Sequence, residues 1–106
     1  MNWIALSKFS ELDKIKQDSF ENPQYIFKHS TRCSISNMVM TRFETTYNTE
    51  SLSVYLLDLL SFRDLSNQIA DDFKVMHESP QILVIKNGEC YSHASHTSIH
   101  QHNLFE

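Results

Sequence analysis

The chain contains very little glycine and proline. Among 106 residues there is one glycine, Gly88, and there are two prolines, Pro23 and Pro80. Because these two residue types mark most turns and flexible linkers, their scarcity excludes a long linker or a low-complexity segment. No stretch of the sequence repeats another. We therefore expect residues 1–106 to form a single domain.

Cysteine, positive charge and long apolar segments are also scarce. Two cysteines, Cys33 and Cys90, are too few for the disulfide framework of a small secreted protein. Nine Lys and Arg residues and a net charge of −4 provide no basic stripe for a nucleic acid. The first residues lack the pattern of a signal peptide, and no apolar run is long enough to cross a membrane. We expect a cytoplasmic protein with neither a nucleic-acid nor a membrane partner.

Hydrophobic periodicity predicts helices alternating with strands. Helices are predicted at 7–20, 35–43, 62–73 and, in the tail, within 95–105. Strands are predicted at 25–30, 53–59, 82–85 and 89–94. Asn87-Gly88 lies between the last two strands and is a strong hairpin signal, because both residues tolerate positive φ.

This order of elements predicts an α/β protein with three layers. A β-α-β unit leads through a further helix into an antiparallel hairpin, which gives a central mixed four-stranded sheet flanked by helices. The arrangement is similar to the thioredoxin-like fold. Residues 3–6 offer an alternative in which a further strand joins the edge of the sheet.

Cys33 lies between a predicted strand end and a predicted helix start. Unpaired N–H groups and the helix dipole favour negative charge there, so we expect a stabilised thiolate. Arg32, with Lys28 and His29 just upstream, adds positive charge. The neighbouring residues are polar, which indicates an exposed thiol: Thr31, Ser34 and Ser36. The alternative is a buried, inert cysteine.

The position of a second active-site thiol is occupied by serine. Ser36 lies three residues after Cys33, where a C-x-x-C enzyme has its other sulfur. A two-residue turn at Asn87-Gly88 places Cys90 opposite Ile85, about 16 Å along the hairpin from Pro80 at ~3.3 Å per residue. A disulfide needs Cα atoms within about 7 Å, so we expect Cys90 to have no redox role. The remaining chemistry is monothiol exchange at Cys33.

Two further segments are candidates for the site around the thiol. Ser79-Pro80 is a candidate cis peptide bond, which would expose the backbone of Ser79 to a substrate. Ser95-His96 could begin a helix that holds an anionic group of a small thiol. Four histidines in the tail raise the alternative of a metal site, but a polar strand end and a solvated helix face explain them better: His93, His96, His100 and His102. We predict no metal.

Four segments carry a family resemblance when they are taken in order. They are Phe27-Lys28-His29-Ser30-Thr31-Arg32-Cys33-Ser34-Ile35-Ser36, Phe62-Arg63-Asp64-Leu65-Ser66-Asn67, His77-Glu78-Ser79-Pro80-Gln81 and His93-Ala94-Ser95-His96. With these residues the chain resembles the bacilliredoxin-type, YtxJ-like family of the bacillithiol system, whose members are monothiol proteins with a thioredoxin-like fold.

The resemblance implies removal of bacillithiol from S-thiolated proteins. Cys33 matches the nucleophile and Pro80 the active-site proline, and no cofactor is tightly bound. We expect Arg32, with Lys28, Ser34 and Ser36, to stabilise the thiolate. The small-thiol site is expected to be formed by Thr31, Ser79, Pro80, Ser95 and His96.

Two other functions are compatible with the same fold. A fold does not fix an activity, so the first is a non-catalytic binding module. The second is an iron-sulfur carrier of the monothiol glutaredoxin type. Ser34 argues against the carrier, because such sites place a glycine directly after the cysteine.

Overall fold

The computed structural model describes residues 1–105 as a five-stranded sheet with helices on both faces. The strands are β1 (Asn2–Ala5), β2 (Gln24–His29), β3 (Ser53–Asp58), β4 (Gln81–Lys86) and β5 (Glu89–Ser95). The helices are α1 (Phe9–Asp18), α2 (Ser34–Thr46), α3 (Arg63–Phe73) and a 3₁₀ helix (His96–Gln101). Within this part of the chain, no helix is long and apolar enough to span a bilayer.

The predicted mixed α/β architecture is confirmed, with one more strand in the sheet. The strand order is β1-β3-β2-β4-β5, in which β1, β3 and β2 are parallel and β4 is antiparallel to both neighbours. The expected four strands are therefore five. The added strand, β1, lies at the edge, is four residues long and is mostly exposed, so its apolar pattern is weak. β1 is a strand because it pairs with β3, in the register from Asn2↔Ser53 to Ala5↔Leu56.

The sheet separates two apolar cores. One contains Leu12 and Ile15 of α1 with Ile69 of α3, and the other contains Val39 and Phe43 of α2. Successive side chains of a strand point to opposite faces. Along β2 this alternation sends Ile26 to the α1/α3 side and Phe27 to the α2 side. Nearly continuous apolar runs in β2 and β4 are thus explained by burial on both faces.

Strand pairing brings several chain segments to one end of the sheet. Lys28 of β2 is paired with Gln81 of β4, and Gln81 is paired with Ser95 of β5. His29 is paired with Asp58 at the end of β3. The segments that follow β2 and β5 and precede β4 therefore meet here. We call this the Cys33 end of the sheet.

The opposite end is closed by the β4–β5 hairpin, and we call it the hairpin end. Asn87 and Gly88 have φ values of 53° and 76°, as a tight hairpin turn requires. Ser19 accepts hydrogen bonds from both residues, through its carbonyl oxygen from the Asn87 N–H and through its hydroxyl from the Gly88 N–H. A Cβ atom at Gly88 would lie 3.0 Å from the far end of the exposed Phe20 ring, which can move aside, so the positive φ is what favours glycine.

Candidate active site

Cys33 is the residue immediately before α2. Its backbone is extended (φ −105°, ψ 118°), its N–H donates to the Ser30 carbonyl at 3.2 Å, and its carbonyl accepts the Asn37 N–H at 3.0 Å. The side chain is half-buried and the thiol is free. The first N–H groups of a helix have no partner within that helix. The stabilisation of a thiolate by this helix start stays a prediction.

Ser36 occupies the place of a second active-site thiol and points inward. It is fully buried, and its hydroxyl oxygen accepts the Ser30 N–H at 3.1 Å. The same oxygen lies 2.7 Å from Nδ1 of His29. Through these contacts Ser36 links the first turn of α2 to the end of β2. The loop that contains Cys33 lies between these two segments. Its predicted role in stabilising the thiolate stays a prediction.

His29, expected from the sequence only to add positive charge upstream of Cys33, is the buried partner of Ser36. Burial lowers the pKa of the imidazole, and the charge of Asp58 and a hydrogen bond with Asn37 oppose this only in part. A neutral ring with its hydrogen on Nε2 accepts the Ser36 O–H at Nδ1. No local pattern reveals the pair, because strand and helix periodicity do not show which polar groups meet across a loop.

Lys28 faces the other side of the sheet. It is fully buried, and its ammonium group donates to the Ser66 carbonyl at 3.0 Å and contacts Nδ1 of His77 at 3.2 Å. Burial lowers the pKa of Lys28 to about 8. Its neighbours in space are thus α3 and the segment before Pro80. Its contribution to the Cys33 thiolate stays a prediction from sequence proximity.

The other predicted residues around the thiol are exposed. Thr31, Arg32 and Ser34 all lie at the surface of the loop and of the first helical turn. The side-chain amide of Asn37 donates to the Thr31 carbonyl at 3.5 Å, which is a long hydrogen bond. Arg32 lies beside Cys33 because the two residues are adjacent in the sequence.

Ser79 and Pro80 lead into β4 at the Cys33 end. The peptide bond between them is cis, and Pro80 is buried. The Pro80 carbonyl accepts the His96 N–H at 2.8 Å. This bond holds the start of the 3₁₀ helix against the proline segment, so the predicted residues Ser79, Pro80, Ser95 and His96 do come together.

A buried glutamine organises this part of the site and was also missed. Gln81 is fully buried, and its side-chain NH₂ donates to the Ser95 hydroxyl at 3.2 Å and to the Met76 carbonyl at 3.1 Å. Ser95 in turn donates to Oε1 of Glu78 at 3.2 Å. Oε2 of Glu78 lies 3.6 Å from Nδ1 of His96. Glu78 and Gln81 both lie in the segment 77–81, which carries part of the family resemblance. Their connection through Ser95 becomes visible only in the β4–β5 register, where Gln81 pairs with Ser95.

The tail begins with a short 3₁₀ helix of six residues. Such a segment has poorer hydrogen-bond geometry and few aligned peptide dipoles compared with a longer α-helix. Glu78 also places a carboxylate against Ser95 and His96. Binding of an anionic group at Ser95-His96 therefore stays a prediction, and the structure adds a negative charge that such a group would meet.

An open groove of about 530 Å³ lies beside these residues. Polar side chains from the proline segment, β5 and the 3₁₀ helix line it, including Glu78, His93, Ser95, His96, Gln101 and His102. His102 is bound through Nε2 to the Ser92 hydroxyl at 3.1 Å. Within residues 1–105, no three His, Cys, Asp or Glu side chains are grouped as metal ligands.

Cys90 lies where the hairpin geometry predicted it. It is paired with Ile85, near the hairpin end, whereas Gln81↔Ser95 marks the Cys33 end. The Cys90 thiol donates to the Ser92 carbonyl at 3.3 Å, and burial raises its pKa to about 11. A thiol in this environment is a poor nucleophile at neutral pH.

A cysteine directly before a helix and a proline directly before an antiparallel strand, both at the same end of the sheet, define a thiol protein of the thioredoxin fold. A structure of a protein proposed to be an oxidoreductase with this fold matches with a TM-score of 0.82 and 29% identity, over 97% of this chain and 88% of that one. Thioredoxin from Trypanosoma brucei brucei matches with a TM-score of 0.75 and 9% identity, over 94% and 83%. Thioredoxin from Schistosoma mansoni gives 0.73 and 15%, over 94% and 88%.

Residues 4–104 match the family described as "Monothiol bacilliredoxin BrxC", and the chain belongs to this family. The family resemblance found in the sequence is thereby confirmed. Membership and fold together support a thiol redox role.

Proposed function

We propose that the chain is a monothiol-disulfide oxidoreductase that removes bacillithiol from protein mixed disulfides. The observation that supports this proposal is the contrast between Cys33 and Ser36 at the start of α2. Cys33 is half-buried with a free thiol, while Ser36, where a second thiol would lie, is fully buried and hydrogen-bonded to Ser30 and His29. A reaction that needs one sulfur suits this arrangement.

The exchange takes place in two displacements. The Cys33 thiolate attacks the sulfur of the small thiol, a new disulfide forms between them, and the target protein leaves as its thiolate. A second molecule of the small thiol, as thiolate, then attacks the same sulfur and releases Cys33 as thiolate. The product is the disulfide of two small thiols, so electrons balance without a resident cofactor. The reducing cytoplasm is the compartment in which we propose this occurs.

Mass spectrometry of the trapped intermediate tests the proposal. A protein carrying bacillithiol as a mixed disulfide is mixed with the chain, and the reaction is stopped with acid. We expect Cys33 to gain the mass of one bacillithiol as the target loses it. A matched target carrying glutathione should react more slowly.

Two outcomes would contradict the proposal. If no adduct forms on Cys33 while the target keeps its cap, the chain lacks this activity. If glutathione transfers faster than bacillithiol, the co-substrate is wrong even though the monothiol reaction stands.

A further inference from the structure

The groove at the Cys33 end contains one fixed negative charge. Of the described residues that line it, Glu78 alone carries a carboxylate, and the remainder are polar or histidine side chains apart from Ala94. The Glu78 side chain is 40% exposed, so part of it is shielded from water. Electrostatic attraction for a cation is stronger at a partly desolvated carboxylate than at one fully in water.

Hydrogen bonds from buried residues hold the Glu78 carboxylate in place. Gln81, which is fully buried, donates to the Ser95 hydroxyl, and Ser95 directs its own hydrogen to Oε1 of Glu78. A side chain whose orientation is fixed before binding loses less conformational entropy when a ligand arrives. One oxygen of Glu78 is thus engaged by the protein.

The other oxygen faces the exposed His96. Oε2 lies 3.6 Å from Nδ1 of His96, which is longer than a normal hydrogen bond, and the His96 side chain is 54% exposed. Oε2 accepts no hydrogen bond from the described residues and has only this long contact with His96, so it is the oxygen to which a ligand cation would bind. Glu78 precedes Ser79-Pro80, so this oxygen lies at the same end of the sheet as the Cys33 loop.

We propose that Glu78 is a specificity residue that binds an ammonium group of the small-thiol co-substrate at the Cys33 end of the sheet. This inference rests on the proposed monothiol exchange at Cys33. The ligand class is a low-molecular-weight aminothiol with a free amine. A thiol whose nearby nitrogen is acylated, as in glutathione, lacks that charge and forfeits the contact.

The test compares three small caps on one target protein: cysteamine, its N-acetyl derivative and 2-mercaptoethanol. Rate constants for removal of each cap are measured with the wild-type chain and with Glu78→Gln, which keeps an acceptor for Ser95. Because Glu78 is partly exposed, the lost attraction is that of a solvent-screened ion pair. We therefore expect Glu78→Gln to slow removal of cysteamine about three- to fivefold and the two uncharged caps less than about twofold.

Taking the ratio between variants cancels the intrinsic reactivity of each disulfide. Glu89→Gln is the matched control, because Glu89 is exposed and lies at the hairpin end. We expect it to leave all three rates unchanged. Unchanged rates for the uncharged caps in Glu78→Gln also show that this variant is folded.

Failure of this inference is distinct from failure of the proposed function. If Glu78→Gln slows all three caps equally, or none of them, Glu78 does not select the ammonium group although Cys33 still reacts. If the wild-type chain removes no cap at all, the proposed exchange itself is wrong.

Discussion

The two cysteines of the chain lie at different ends of one sheet, and different groups surround them. Both are half-buried, but Cys33 directly precedes a helix and has polar neighbours in its loop. Cys90 lies within β5, packs against the core beside α1 and α3, and has its pKa raised to about 11 by burial. Sequence composition cannot separate these two thiols, whereas their positions relative to strand and helix ends do.

The ends also differ in their buried polar groups. Five of the six buried polar residues within the described chain belong to the Cys33 end, and Ser19 belongs to the hairpin end. The five are Lys28, His29, Ser36, Ser66 and Gln81. Buried polar groups are costly unless they are hydrogen-bonded, and the hydrogen bonds of these residues join different segments of the chain. The cluster therefore fixes the geometry of the Cys33 end.

Replacing each cysteine in turn is expected to give the largest contrast. Cys33→Ser removes the nucleophile and should lower the rate of mixed-disulfide exchange by about a thousandfold or more, because an alcohol is far less nucleophilic than a thiolate. Cys90→Ser should change the rate less than about twofold. Equal losses in the two variants, measured as release of a small thiol from a target protein, would place both sulfurs in the reaction.

Alkylation of the wild-type chain should separate the thiols without mutation. Because the pKa of Cys90 is raised to about 11, only about one thiol in a thousand is ionised at pH 8. We expect iodoacetamide to modify Cys33 about a hundredfold faster at that pH. Peptide mapping over time measures both rates, and the Cys90 rate should keep rising towards pH 11. Similar rates at pH 8 would show that Cys90 is accessible and ionised.

Ser36→Ala tests whether the buried hydroxyl holds the Cys33 loop. The substitution leaves the Ser30 N–H and Nδ1 of His29 without this partner, so we expect the free energy of unfolding to fall by about 1–3 kcal/mol. Ser34→Ala is the control, because Ser34 lies in the same helical turn but is exposed. Its effect should stay within about 0.5 kcal/mol. Equal urea midpoints for the two variants would contradict the structural role of Ser36.

Lys28→Met should produce the smallest effect and one that depends on pH. The pKa of Lys28 is lowered from 10.5 to about 8 in the folded chain. Between these values the unfolded chain binds more protons, so the wild-type protein gains stability as the pH rises. From pH 7 to pH 9 we expect a gain of about 1 kcal/mol relative to Lys28→Met. Urea unfolding at both pH values measures it, and a constant difference would show that Lys28 is not desolvated.

Local sequence was sufficient for most of the fold. Periodicity predicted α3 and the four longer strands with ends close to the observed ones, and Asn87-Gly88 predicted the hairpin and the Cys90↔Ile85 pair. The predicted first helix, 7–20, is two residues longer than α1 at each end. At its C-terminal end, Asn22-Pro23 predicts a later stop, whereas α1 ends at Asp18. The sequence offers β1 only as an alternative, because a short exposed edge strand has a weak apolar pattern and is recognised mainly by its pairing, here with β3.

The sequence by itself determined the position of Cys33 between a strand and a helix, the serine at position 36 and the separation of Cys90 from the site. These features depend on chain order and on periods of two or 3.6 residues, which are local. The tertiary structure alone decided that His29 meets Ser36, that Lys28 faces Ser66 and His77, and that Gln81 supports Glu78 through Ser95. The physical reason is that a buried hydrogen bond needs two groups from distant segments, and strand order and register determine which groups meet.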